Sequence, residues 1–270
     1  MKTFDQRFPE AQEIGLAACG DWHLGARTCD EGAVDEWLEK VLKNKWYVIL
    51  MGDITENATI GSVGAVFEQT MTPQEQVKLA IEKLSPIKDY IIGAVAGNHG
   101  RRSMKMTGLD PDEIMCWELG IPYWGPAAFG RIQVGDAHWK IVVHHGHGGG
   151  ALLGSKLNVV AEKMTKMVPM ADLYLAGHTH ADVAGSDTRP YLGLNKGSVR
   201  LLKQRRHFSG TGSLLDYEGY PEAMMLPPAS KVQVCHHLGT RVMVSRGNSD
   251  GKPDGNMYEM PYRREPFYFF

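Results

Sequence analysis

Five short apolar runs, each followed by a polar signature, constrain the fold of this chain more than any other feature. They are IGLAAC (Ile14–Cys19), WYVILM (Trp46–Met51), YIIGAVA (Tyr90–Ala96), WKIVV (Trp139–Val143) and LYLA (Leu173–Ala176). Runs of this length bounded by turn signals read as buried strands. The segments between them have helical spacing. In DEGAVDEWLEKVLKN, Val34, Trp37, Leu38, Val41 and Leu42 fall on one stripe of a helix. TPQEQVKLAIEKLSP opens with Thr72 as N-cap, Pro73 at the first helical position and Glu75 completing a capping box. DPDEIMCWELG repeats that logic with Asp110, Pro111, Glu113 and a closing Gly120. Strands joined by crossover helices pair in parallel, so the first two-thirds predicts a parallel α/β sheet.

After about Gly185 the texture changes. RPYLGLNKGSVRLLKQRRHFSGTGSLL and SKVQVCHHLGTRVMVSRG are glycine-rich with short alternating segments, which predict antiparallel strands. The tail over 247–270 is polar and turn-rich up to its aromatic end, and is expected to be a loop with a docked terminus. No low-complexity linker or internal repeat divides the chain. A single domain over 1–270 is expected, with its core at about 14–246.

The 270 residues carry a net charge of −2, which excludes a globally basic nucleic-acid binder or a polybasic membrane anchor but leaves room for a local basic patch. The N-terminal MKTFDQRFPEAQEIG has no apolar h-region, and every apolar run is far short of a membrane span. The four cysteines show no C-x-x-C pairing and read as reduced thiols. A cytoplasmic protein without a membrane partner is the expectation. The sequence does not fix the oligomeric state.

Chemistry concentrates where the apolar runs end. The first leads to Asp21 and His23, the second to Asp53 and Glu56, and the third to Asn98, His99, Arg101 and Arg102. The fourth leads to His144, His145 and His147, ahead of the triple glycine 148–150, and the fifth to His178 and His180. Carboxyl ends of parallel strands share one rim of a sheet, so these side chains converge. Carboxylates mixed with imidazoles suit Mn, Fe or Zn better than Mg or Ca, which prefer all-oxygen shells.

There are also more ligands than one ion needs. Asp21, His23, Asp53 and His180 would surround one ion. Asn98, His178 and a further histidine would surround a second, with Asp53 as the bridge. Two ions about 4 Å apart clamp an in-line displacement at phosphorus and lower the pKa of a water between them, which implies hydrolysis of a phosphate ester.

Taken in order, D-x-H, G-D, G-N-H, H-G and G-H-x-H resemble the calcineurin-like metallophosphoesterase family, in the compact bacterial and phage form related to DNA-repair exonucleases. The resemblance spans roughly Gly15 to Leu215. It implies a four-layer α/β/β/α sandwich with a dinuclear metal site at the strand C-terminal rim. It also implies that His99 protonates the leaving alkoxide or positions the substrate phosphate. Glu56 stands where the family usually has Asp or Asn, and Gly100 where it often has an acid. An acid at either place would orient His99 or a metal ligand, and Glu56 is expected either to reach that partner or to face solvent.

The H-G of the motif falls on His145, whose neighbour Gly146 permits a tight turn over the rim. His145 is therefore expected on the second ion. His144, pointing to the other face of the strand, is expected in the core or behind a ligand, and His147 in a loop near substrate phosphate.

The function expected is hydrolysis of phosphodiesters, in DNA, RNA or a smaller nucleotide diester, with two divalent ions: Mn first, and Fe, Zn or Ni as alternatives. A phosphomonoesterase or protein phosphatase is the second reading, and a non-catalytic scaffold of the same fold the third. Arg101, Arg102 and His147 are expected to contact substrate. The basic stretch of Arg189, Lys196, Arg200, Lys203, Arg205 and Arg206 reads either as a solvated strand face or as a track for a polyanion.

Overall fold

The computed structural model describes residues 1–60, 62, 66–148, 152–195, 198–216, 231, 233–239, 241–247, 253–261 and 267–269. In chain order its elements are β1 (Lys2–Phe8), β2 (Glu13–Cys19), α1 (Glu31–Asn44), β3 (Tyr47–Leu50), α2 (Pro73–Leu84), β4 (Ile91–Ala94), α3 (Asn98–Thr107), α4 (Pro111–Leu119), β5 (Ala127–Val134) and β6 (Ala137–His144). They continue with α5 (Leu153–Asn158), α6 (Met164–Met167), β7 (Leu173–Ala176), β8 (Ala184–Asn195), β9 (Ser198–Gly210), β10 (Gln233–Gly239), β11 (Arg241–Gly247), β12 (Pro253–Pro261) and β13 (Phe267–Phe269). All five apolar runs are strands. The helix starts follow their caps: Asp30 Oδ1 accepts from Ala33 N–H, Thr72 and Glu75 form the capping box, and the Asp110 side chain accepts from the Asp112 and Glu113 amides.

Two sheets carry the fold. One has the strand order β1-β5-β6-β7-β9-β8, the other β13-β10-β2-β3-β4. Strands β2, β3 and β4 are parallel neighbours, as are β6, β7 and β9. Three apolar clusters separate four layers. Trp37, Val41, Leu84, Met115 and Leu119 from α1, α2 and α4 pack on the outer face of the second sheet. Leu16, Ile49, Ile132, Trp139, Ile141 and Leu175 fill the space between the sheets. Val160 and Met164 cover Tyr174 and Phe208 on the outer face of the first sheet. The result is an α/β/β/α sandwich with all five signatures at the carboxyl ends of its central strands.

Four features depart from the sequence reading. β1 was not expected, because only Phe4 and Phe8 mark it as apolar. It pairs in parallel with β5, and Phe4 stacks on Trp124 with ring centroids 4.5 Å apart. α3 begins inside the third polar signature, in a segment too polar to show a helical stripe. The tail expected as loop contains β12, paired with β11, and β13, whose Phe267–Phe269 completes the edge of β10. Aromatic residues favour that pleated setting. Among the described residues, no helix is long and apolar enough to cross a membrane.

The fourth departure concerns the basic stretch. Arg206 is not available to a polyanion: it is buried, its Nε donates to Asp187 Oδ1 at 2.8 Å and its Nη2 to Asp187 Oδ2. Its Nη1 reaches Pro169 O, and the guanidinium lies 5.4 Å from the Phe208 ring centroid. Arg206 therefore ties β9 to β8 and to the loop before β7. Arg205 and Lys203 on the opposite face are exposed. Lys196, Gly149 and Gly150 lie outside the described residues, as does the side chain of Arg200. Arg206→Ala should lower stability by about 2 kcal/mol, the scale of charged hydrogen bonds lost from a buried site. Arg205→Ala should change it by less than about 0.5 kcal/mol, and thermal unfolding of the two variants checks the contrast.

Candidate metal centre

The loops that leave β2 and β3 continue side by side beyond the sheet. Asp21 N–H donates to Gly52 O at 3.0 Å, His23 N–H to Asp53 O at 3.0 Å and Leu24 N–H to Ile54 O at 2.9 Å. This cross-bonding holds the backbone in conformations that side chains usually avoid. Of the eight non-glycine residues with positive φ among the described residues, five are Asp21, His23, Asp53, His178 and His180. Each left-handed residue costs on the order of 1 kcal/mol, and such strain gathers at functional sites. Gly52, at φ +88°, lies so close to the neighbouring loop that a Cβ would stand 2.6 Å from Gly97 N and 2.9 Å from His145 Nδ1.

Asp21 and Asp53 are both buried, and both divide their oxygens in the same way. One oxygen is fixed by a backbone amide: Asp21 Oδ2 accepts from His178 N–H at 2.8 Å, and Asp53 Oδ1 from His99 N–H at 2.9 Å. The other oxygen faces imidazoles. Asp21 Oδ1 lies 3.4 Å from His180 Nε2 and has no hydrogen-bond partner, while Asp53 Oδ2 lies 3.1 Å from His145 Nε2 and 3.9 Å from His99 Nε2. A buried carboxylate oxygen without a donor is costly unless a cation stands against it.

The donors form two adjacent groups. In the first, Asp21, His23 and His180 place one ligand atom each within 4.8 Å of one another, and the Nε2 atoms of the two histidines are 3.2 Å apart. In the second, Asp53, His145 and His178 do the same. Asn98 belongs with that second group: its Oδ1 lies 2.9 Å from His145 Nε2 and 2.7 Å from His178 Nδ1. Outer partners set which ring nitrogen is free. His23 Nδ1 lies 2.8 Å from Glu56 Oε2 and His145 Nδ1 2.7 Å from Met51 O, so each ring donates outward and turns its Nε2 inward.

His23, Glu56 and His99 also lie close enough to group around an ion. However, Glu56 uses the outer nitrogen of His23, so its geometry is that of an orienting partner. The structure thus places Glu56 against His23 and not in solvent. His99 is buried, its Nδ1–H donates to the Glu56 carbonyl, and its Nε2 faces Asp53.

Electrostatics match this inventory. Burial works against ionising Asp21, Asp53 and Glu56, yet the facing histidines hold all three carboxyls below the ordinary carboxylate range. Burial also disfavours charge on His145, but Asp53 and Asp21 push it up to about 9. His178 is held down to about 4 by burial and by the charge of His145. The site is therefore rich in ionised carboxylate and short of fixed cation. Oxygen and nitrogen donors in this arrangement fit a divalent transition metal.

The remaining candidates fall outside the two groups. His144 is half-buried, and its Nδ1 accepts from Gly146 N–H at 2.7 Å, capping the turn that Gly146 makes at φ +111°. His147 is exposed, and its carbonyl accepts from Lys163 Nζ. Arg101 is exposed, whereas Arg102 is half-buried with an Nε that has no partner. Sequence reasoning missed Asp112, which lies between the capping residues Asp110 and Glu113 and belongs to none of the five polar signatures. Its carboxylate instead leaves its own helix and accepts from Gly97 N–H at 2.9 Å, behind Asn98 and His99.

The two neighbouring histidines separate cleanly. Binding of Mn to chelator-stripped protein should weaken by at least tenfold on His145→Ala and stay near wild type on His144→Ala, because only His145 presents a nitrogen to the second group. Isothermal titration of both variants reads this directly. A wild-type isotherm for His145→Ala alongside a loss for His144→Ala would reverse the assignment.

No protein-family model matches the chain, and no curated protein matches it in sequence. Among solved structures the chain is similar to the E. coli protein Yfce, described as a phosphoesterase, at a TM-score of 0.44 and 16% identity, over 90% of this chain and 97% of that one. At that distance the likeness is remote, and the chemistry of the site stands on its own geometry.

Proposed function

We propose that this chain is a phosphoesterase that uses two divalent metal ions and prefers phosphodiesters. One observation carries the reading: two buried aspartates each commit one oxygen to a backbone amide and keep the other for a group of imidazoles. Asp21, His23 and His180 would hold one ion, Asn98, His145 and His178 the other, and Asp53 Oδ2 would face both. When bound, Mn, or in its place Fe, Zn or Ni, would supply Lewis acidity toward a phosphoryl oxygen and an activated water.

The chain's own residues do the rest. Glu56 keeps His23 Nε2 turned inward, and Met51 O does the same for His145. His99 keeps its Nδ1–H on the Glu56 carbonyl, which leaves Nε2 as the atom that hands a proton to a leaving oxygen or holds a phosphate oxygen. Burial keeps this imidazole below the usual histidine range, so the free ring carries its one proton on Nδ1, and Nε2 would donate only after taking up a second proton, which an anionic substrate favours. Arg102 acts on His99 electrostatically and Arg101 on His144, so α3 brings positive charge near the site. That supports a substrate with negative charge beyond the scissile phosphate, such as DNA, RNA or a short nucleotide diester. The exposed His147 adds a third contact at the loop.

Exhaustive treatment with EDTA should abolish hydrolysis and Mn should restore it. Asp53→Asn should cost about 10²-fold or more in kcat, since one side chain serves both groups. Bis(p-nitrophenyl) phosphate and single-stranded DNA should be turned over faster than p-nitrophenyl phosphate. Full activity after chelation would overturn the metal mechanism, and preference for the monoester would move the assignment to a phosphomonoesterase.

A further inference from the structure

We propose that Asp112 is a positioning residue of this site, clamping from α4 the peptide that carries Asn98 and His99. The inference rests on the metal-centre reading above and adds to it a residue outside both donor groups. Asp112 lies at the second position of α4, buried, yet its carboxylate does not cap its own helix. Asp110 already does that, accepting from the Asp112 and Glu113 amides, and is itself held by Tyr123 Oη–H. Asp112 Oδ2 instead accepts from Gly97 N–H at 2.9 Å.

The opposite side of that peptide rests on Asp53. Asp53 Oδ1 accepts from His99 N–H, and a Cβ at Gly97 would overlap that same oxygen. Residues 97–99 are therefore gripped between two carboxylates, one facing the site and one behind it. Gly100 completes the fit. A Cβ there would overlap Asp112 Oδ2 and stand 2.9 Å from its Cγ, so the carboxylate fills the space a side chain at position 100 would need.

The position is expensive for an acid. Burial and the nearby carboxylates of Asp110 and Asp53 push Asp112 up to about 7. An apolar residue would avoid that cost but would leave the Gly97 amide buried without an acceptor. What the acid gains is a fixed height for Asn98 Oδ1 between His145 and His178, and for His99 beside Asp53. Partners behind a ligand typically change metal affinity by 10–100-fold.

The test compares wild type, Asp112→Ala, Asp112→Asn and Gly100→Ala by Mn titration of chelator-stripped protein, by kcat and KM on bis(p-nitrophenyl) phosphate, and by amide exchange at 97–99. Asp112→Ala should weaken the second Mn by about tenfold or more, lower kcat by a similar factor with KM changed less than about threefold, and expose the Gly97 and His99 amides. Asp112→Asn keeps an oxygen for Gly97 N–H and should recover affinity and kcat to within about threefold of wild type. Gly100→Ala, which displaces the carboxylate without removing it, should reproduce the Asp112→Ala pattern and so serves if that variant does not fold.

Wild-type Mn affinity and kcat in both Asp112→Ala and Gly100→Ala would overturn the proposal. So would an Asp112→Asn variant as impaired as Asp112→Ala. If wild type itself bound no Mn, the metal-centre reading would fall. The clamp would then be judged by amide exchange alone, and unchanged protection at 97–99 in Asp112→Ala would refute it.

Discussion

Two buried carboxylates, each with one oxygen turned toward imidazoles, are the constraint on which the rest of this structure depends. Asp21 and Asp53 sit in a low-dielectric rim between two sheets, and their ionised forms survive there only because amides and imidazoles are arranged around them. Each aspartate is held by the backbone of a loop from elsewhere in the chain. Asp21 fastens the turn at His178 after β7, and Asp53 fastens the start of α3 after β4. Both hydrogen bonds orient the ligands, and the one from His178 N–H to Asp21 also joins the two sheets at the site. Loss of either aspartate would slacken a loop as well as remove a donor.

That arrangement explains why strain concentrates here. A strand that ended in an ordinary turn would send its first polar side chain away from the rim. The left-handed residues at Asp21, His23, Asp53, His178 and His180 fold the chain back, so that alternate side chains converge on one point. Glycines provide the clearance: Gly52 passes against Gly97 and His145, and Gly146 turns where no side chain fits beside Gly177 O. The sheets supply rigidity and the cross-bonded loops supply aim.

Much of this was legible in the chain because the same residues that end a strand also carry the chemistry. Apolar runs marked the strands, their polar endings marked the rim, and Gly146 distinguished His145 from His144 by where a turn could occur. The illegible parts share a cause: their roles depend on a partner far away in sequence. β1 has only Phe4 and Phe8 as apolar residues and finds its strand partner in β5. Arg206 looked like a surface cation and is buried because Asp187 lies opposite it across the β8–β9 hairpin. Asp112 belongs to none of the polar signatures, and only the packing of α4 beside the Gly97 peptide gives it a task.

The proton states of the histidines extend the argument from geometry to chemistry. His145 and His23 are held above the usual histidine range by the carboxylates they face, although burial opposes it, whereas His178, without a carboxylate in contact, is held down near 4. Without metal, the site therefore places its positive charge on the imidazoles nearest Asp53 and Glu56. These are temporary cations. Asp53, Asn98, His145 and His178 would hold a divalent ion only with His145 in the neutral form, whose nitrogen lone pair can bind, and the ion would then supply the positive charge the proton gave. His178 needs no such change, being already neutral. The carboxylates that make this rim costly to fold are thus the same ones that would favour a metal ion over protons there.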